Sequence, residues 1–104
     1  FPAWLAPVQV KVLPITDKFN EYSNEIAQKL RASGIRVETD FRNEKIGYKI
    51  REAQLEKVPY MIIIGEKEME AQMISVRSRD AGDMGSQDLN AFISSLKTEI
   101  ETKK

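Results

Sequence analysis

Val8, Val10 and Val12 alternate with Gln9 and Lys11, and this period of two predicts a strand with one apolar face. Pro14 ends it, and Thr16 or Asp17 can cap a following helix. In that helix Phe19, Tyr22, Ile26, Ala27 and Leu30 recur at helical spacing and form one apolar stripe, with Gly34 as the C-terminal stop. Ile35 to Thr39 reads as a short second strand. A second helix, capped by Asn43 and running to about Lys57, has Ile46, Ile50 and Ala53 as its buried face. Pro59 introduces Tyr60-Met-Ile-Ile-Ile64, a continuous apolar run that suits a central strand covered on both faces. Gly65 turns the chain. Met73 to Arg79 predicts a fourth strand, with Ile74 and Val76 on one face and Ser75, Arg77 and Arg79 on the other. Asp80 to Gly85 is a turn region with room for a very short fifth strand near Met84. From about Asp88, Leu89, Phe92, Ile93, Leu96 and Ile100 sit at helical offsets, and the end from Glu101 is expected to fray.

Two β-α-β units open this order, so the first three strands are expected to be parallel with right-handed crossovers. Strand order 2-1-3 is the economical arrangement, with later strands added antiparallel beyond the third. The expected fold class is α/β: a mixed, mainly parallel sheet of four to five strands flanked by three helices. At 104 residues the chain fits one domain, and a domain this size buries roughly 65% of its unfolded surface, enough for a core without staples. There is no cysteine, hence no disulfide framework or thiol nucleophile. The absence of histidine removes the usual general base and the commonest metal ligand. No apolar run approaches the ~20 residues that span a membrane, and the start does not read as a secretory signal. The 16 basic and 16 acidic residues balance, so any nucleic-acid surface must come from local segregation of charge. The opening Phe-Pro-Ala-Trp, without an initiating Met, leads to the expectation of a piece of a longer protein.

In an open α/β sheet, binding groups collect beyond the carboxyl ends of the parallel strands, here Leu13–Asp17, Asp40–Glu44 and Gly65–Glu68. None carries GxGxxG or a Walker loop, so a nucleotide cofactor is not expected. None pairs a nucleophile with a base, and Pro14-Ile-Thr16 lacks the paired acids of a phosphoacceptor. Binding chemistry is what remains. Asn43 offers a donor and an acceptor to a base edge, or serves only as a cap. Arg51 shares a helix face with Glu44, Tyr48 and Leu55, away from the Ile46–Ile50 stripe, and is either a ligand contact or a solvated charge. Gly47, inside the helix, costs roughly 1 kcal/mol relative to alanine. That cost fits either tight helix–sheet packing or the close approach of another backbone. Arg77 and Arg79 make a positive stripe, which can read guanine through O6 and N7 or simply protect an edge strand. Glu68 can accept from a base amino or imino group, or be plain surface. Trp4 and Tyr48 are able to stack on bases, and Trp4 suits a core or interdomain anchor equally.

Arg42-Asn-Glu-Lys-Ile-Gly-Tyr-Lys-Ile-Arg51 resembles the most diagnostic motif of the C-terminal anticodon-binding domain of threonyl-tRNA synthetases, a class II family. Trp4-Leu-Ala-Pro-Val-Gln-Val10 resembles that family's first strand. Val58-Pro-Tyr-Met61, Gly65-Glu-Lys-Glu68 and Met84-Gly-Ser86 are similar to its later strands, turn and approach to the last helix. The resemblance runs from Phe1 to about Ile100. It implies that residues 1–104 are an anticodon-binding domain, with 1–7 leading in from a catalytic domain of the same chain. Threonine anticodons end in guanine then uracil. The resemblance implies that Arg77 takes the guanine and that Asn43, Arg51 and Glu68 read or frame the uracil and the backbone near it. Lys57 stands where the family often has Arg, so it can meet a phosphate but lacks the planar fork, or it stabilises a helix C-terminus. Arg79 adds to the same basic ridge. Further implications are threonine tRNA as partner, a cytoplasmic location, and ATP, magnesium and zinc for the full-length ligase, which would be a homodimer. None of these cofactors is implied for this fragment, which would be non-catalytic and mainly monomeric. Two other readings stay open: an accessory module binding RNA or protein without base choice, and a small-molecule α/β binding module.

Overall fold

Apolar alternation and the two crossovers build a five-stranded sheet in the computed structural model, which describes residues 6–42, 44–79 and 82–102. The strands are β1 (Val10–Pro14), β2 (Val37–Thr39), β3 (Tyr60–Ile64), β4 (Ile74–Ser78) and β5 (Gly82–Gln87). The helices are α1 (Asn20–Ala32), α2 (Ile46–Leu55), α3 (Glu66–Ala71) and α4 (Leu89–Thr102). Strand order is β2-β1-β3-β4-β5, so the expected 2-1-3 start holds. β1 runs parallel to β2 and β3, whereas β4 is antiparallel to both β3 and β5. The sheet is therefore evenly divided rather than mainly parallel. A parallel return needs a crossover of a dozen or more residues, and the links after β3 and β4 are shorter than that.

Three local features differ from the sequence reading. Thr16 and Asp17 do not cap α1 with their side chains. A 3-10 turn at Asp17–Phe19 intervenes, closed by Phe19 N–H donating to the Thr16 carbonyl at 3.1 Å. The fourth helix, α3, was invisible because none of its residues is buried, so it has no apolar stripe. β5 is six residues long, not a fragment, although almost all of it is exposed. Pairing with β4 rather than burial defines it, and its register skips Met84 where Val76 and Arg77 oppose Gly85 and Asp83. The helix ends follow expectation more closely. At the end of α1, Gly34 has φ +84°, and Ile35 N–H and Gly34 N–H donate to the Leu30 and Arg31 carbonyls at 3.1 and 2.9 Å, satisfying otherwise orphan acceptors. The last helix starts near Asp88 as expected, and Asp88 Oδ2 accepts from Ala91 N–H at 3.1 Å, which caps α4.

The core is two-sided and unequal. On one face α1 and α4 bury Ile26, Leu30, Phe92 and Leu96 against Val10, Val12, Ile62 and Val76. On the other, α2 sets Ala53 against Leu13 and Met61, joined by Val58 and backed by Ile46 and Ile50. Arg77 pairs with Met61 in the sheet, which puts it on the α2 face. Beyond α2, no helix among the described residues covers the β4–β5 side of that face.

Candidate nucleic-acid interface

The loop from β2 into α2 is held from below by a residue the pattern did not single out. Lys49 is 2% exposed, and its Nζ donates to the Pro14 and Asp40 carbonyls at 3.0 and 3.1 Å. It ties the carboxyl ends of β1 and β2 to the underside of α2. Burial pushes its pKa below the usual lysine value, partly opposed by nearby Asp40. The sequence did carry a signal: position 49 lies three after Ile46 and four before Ala53, on the buried side of the helix. A lysine there reads as surface only if residue type is allowed to override spacing.

Charge segregates across α2. On its β2 side, Arg42 Nε and Nη2 grip the Asp40 carboxylate at 2.8 and 2.7 Å, and Nη2 also reaches Glu52 at 2.8 Å. Hydrogen bonds from Arg42 lower the carboxyl pKa values of both Asp40 and Glu52. Lys11 bonds Glu56 at 2.9 Å and approaches Glu38 at 3.7 Å. These six groups line a recess of about 320 Å³ in which acids outnumber bases, a poor seat for a polyanion. On the β4 side, Gln54, Val58, Met61, Arg77, Ser78, Arg79 and Gly82 line a cleft of about 320 Å³. Among the described residues, neither Arg51 nor Arg77 enters an ion pair. One acid does stand near: Asp83 is the register partner of Arg77, although its Oδ1 accepts from Gly85 N–H at 2.9 Å.

The structure brings some of the predicted residues together and not others. Arg77 and Arg79 share the cleft wall. Lys57 adjoins it, and its carbonyl accepts from Arg79 Nη1 at 3.3 Å. Arg51 lies on the exposed outer face of α2, one turn before Gln54. Glu68 sits at the far end of the sheet, where its Oε1 accepts from Gly65 N–H at 2.8 Å and closes the start of α3. Gly65 has no side chain, so the reciprocal half of a capping box is absent. With about 3.3 Å per strand residue, the five residues of β3 separate Glu68 from Arg79 too far for one base to touch both. Asn43 and Trp4 lie outside the described residues. α2 begins at Ile46, with Lys45 in the cap position, so it starts later than a cap at Asn43 implies. Gly47 therefore stands in the first turn, and an added Cβ would meet nothing within 4 Å. That excludes tight packing against the sheet as its reason.

Lys57 ends α2 by its backbone. Its φ is +59°, while its N–H and that of Val58 donate to the Gln54 and Ala53 carbonyls at 3.0 and 3.2 Å. A non-glycine residue in this conformation costs roughly 1–2 kcal/mol. Lys57→Gly is thus expected to raise unfolding stability by about 1 kcal/mol while removing one cation. In denaturant melts its midpoint should rise. If the lysine also meets a phosphate, RNA affinity should fall equally for every loop sequence. A lower midpoint would refute the strain argument.

A family model described as an anticodon binding domain matches residues 9–99. The threonine–tRNA ligase of Clostridioides difficile (strain 630) is 61% identical over 104 residues, covering 100% of this chain and 16% of that protein. That of Clostridium acetobutylicum is 61% identical over 103 residues, covering 99% and 16%. The chain thus spans about one-sixth of the length of these relatives. Among solved structures, the RNA binding domain of threonyl-tRNA synthetase from Cryptosporidium parvum Iowa II superposes with a TM-score of 0.90 at 33% identity, over 95% of this chain and 25% of that one.

Proposed function

The chain belongs to the anticodon-binding domain family, and on that footing we propose that it binds the anticodon loop of a threonine tRNA and reads its guanine and uracil. The observation that carries this reading is the segregation of charge across α2, which leaves Arg77 and Arg79 lining the cleft on the β4 side, Lys57 beside it and Arg51 on the exposed outer face of α2. The 61% identity to threonine–tRNA ligases supports threonine over other anticodons. In this reading Arg77 takes the guanine, because its planar fork matches O6 and N7. Arg51, with Asn43, frames the uracil and its phosphates. Glu68, whose Oε1 accepts from Gly65 N–H, keeps Oε2 for the uracil or the backbone near it. Lys57 and Arg79 supply sequence-independent attraction.

Residues 1–104 form the anticodon-binding part of a longer cytoplasmic ligase, with 1–7 leading in from its catalytic domain. This chain alone catalyses nothing. It contributes binding energy and orientation at a site remote from the chemistry. ATP, magnesium and zinc, and the contacts of a homodimer, belong to the rest of the ligase. The residues here do not fit a zinc site: there is no cysteine or histidine, and among the described residues no metal-ligating cluster of three. No described helix is long and apolar enough to cross a membrane.

The test is binding of this chain to a threonine anticodon stem-loop and to one with its anticodon bases permuted, across salt. Affinity should be weak, because the chain is neutral overall. It should be salt-sensitive, with the log–log slope growing by about 0.7 per phosphate contacted on a single strand. The threonine loop should be preferred. Equal affinity for both loops would replace this reading with an accessory module that lacks base choice.

A further inference from the structure

Tyr48 is 50% exposed on the outer face of α2, and nothing in the folding of the helix calls for an aromatic there. The ring is nonetheless held. The Arg42 guanidinium carbon lies 5.8 Å from its centroid, and Arg42 is itself fixed by Asp40 and Glu52 at 2.7 and 2.8 Å. Those two carboxylates compensate the Arg42 charge, which makes it a poor phosphate ligand and a good support for a ring. Arg51 is the next turn's neighbour of Tyr48 and pairs with no acid among the described residues. A braced aromatic plane beside an uncommitted cation suits an unpaired nucleobase with its phosphate, since every base offers a π-face.

We propose that Tyr48 is a stacking platform for one unpaired base of the bound RNA loop, with Arg51 on the adjacent phosphate and Arg42 as the ring's brace. The inference rests on the anticodon-loop reading and adds a contact indifferent to base identity. A protein surface is the competing occupant, and the charge complementarity of Arg51 favours RNA.

The experiment uses this chain with a set of threonine anticodon stem-loops, each carrying one abasic nucleotide at a different loop position. Wild type should lose about 5- to 100-fold in affinity at the stacked position. Tyr48→Ala should lose a similar factor with the intact loop and nothing more when that one position is abasic. Tyr48→Phe should bind as wild type, which separates stacking from the hydroxyl. Arg51→Gln should lower the salt slope by about 0.7, whereas Arg42→Gln should leave the slope unchanged. Tyr48→Ala binding like wild type, or losing equally against every abasic loop, would overturn the proposal while threonine-loop preference still stood. Absence of that preference in wild type would instead overturn the anticodon reading, and this inference with it.

Discussion

Lys49→Met should lower the unfolding free energy by about 1–3 kcal/mol, because the buried Lys49 ammonium is the side-chain donor to the Pro14 and Asp40 carbonyls and methionine offers them none. Methionine keeps most of the lysine stem's packing, so the loss isolates the ammonium. Lys49→Ala adds a cavity beneath α2 and should bring the total to about 2–5 kcal/mol. Urea melts at neutral pH measure both. An unchanged midpoint for Lys49→Met would mean that desolvation of the buried cation cancels its two bonds. The pH dependence has a defined sign. Burial lowers the native pKa of Lys49 from 10.5. Between that lowered value and 10.5, the unfolded chain binds more protons, so the lysine's contribution to stability rises with pH in this window. The gap between wild type and Lys49→Met should widen there as pH increases. Because the same residue pins the loop carrying Arg42 to the sheet, Lys49→Met should also weaken RNA binding, for all loop sequences alike.

Base choice is expected to depend on Arg77 more than on any other described side chain. Arg77→Ala should weaken binding of a threonine anticodon stem-loop by about 1–3 kcal/mol, the discrimination carried by one bidentate arginine–guanine contact. It should cost almost nothing against a loop in which that guanine is already replaced. Arg77→Lys should recover only part, since one ammonium cannot reproduce the fork. A double-mutant cycle between protein and RNA reads the coupling directly. Arg79→Ala is the same-face control and should weaken both loops equally. Arg79 also bonds the Lys57 carbonyl, so its stability must be measured alongside. Coupling near zero with the binding mode intact would reduce Arg77 to surface charge.

The order of the first three strands, the α1 stripe and the start of the last helix near Asp88 were all legible, because each rests on periodicity. α3 and β5 were not, for a shared reason. Hydrophobic pattern reports burial, and neither element is defined by it: α3 has no buried residue, and β5 is made by pairing with β4. The antiparallel addition of the later strands was legible from the order of elements, whereas the even division of pairings became readable only once β5 was recognised as a full strand. In the candidate interface, Arg77 and Arg79 were readable as a same-face pair from strand alternation alone. The acidic recess on the β2 side was not, because Lys11, Glu38, Asp40, Arg42 and Glu52 come from separate elements that only the fold assembles. Lys49 escaped because a lysine is rarely buried, yet two carbonyl acceptors offset much of the cost of its burial.

The break in pairing at Met84 has a further consequence for how the chain behaves in a crowded solution. An unpaired strand edge is a template on which another chain can polymerise. Here one rim of the sheet, β2, is only three residues long. The other rim carries the displaced register beside Gly85, whose φ is +80°. A flat incoming strand therefore finds too little length on one side and a kinked ladder on the other. The same irregularity that leaves β5 without a hydrophobic signature protects the molecule from fibre growth.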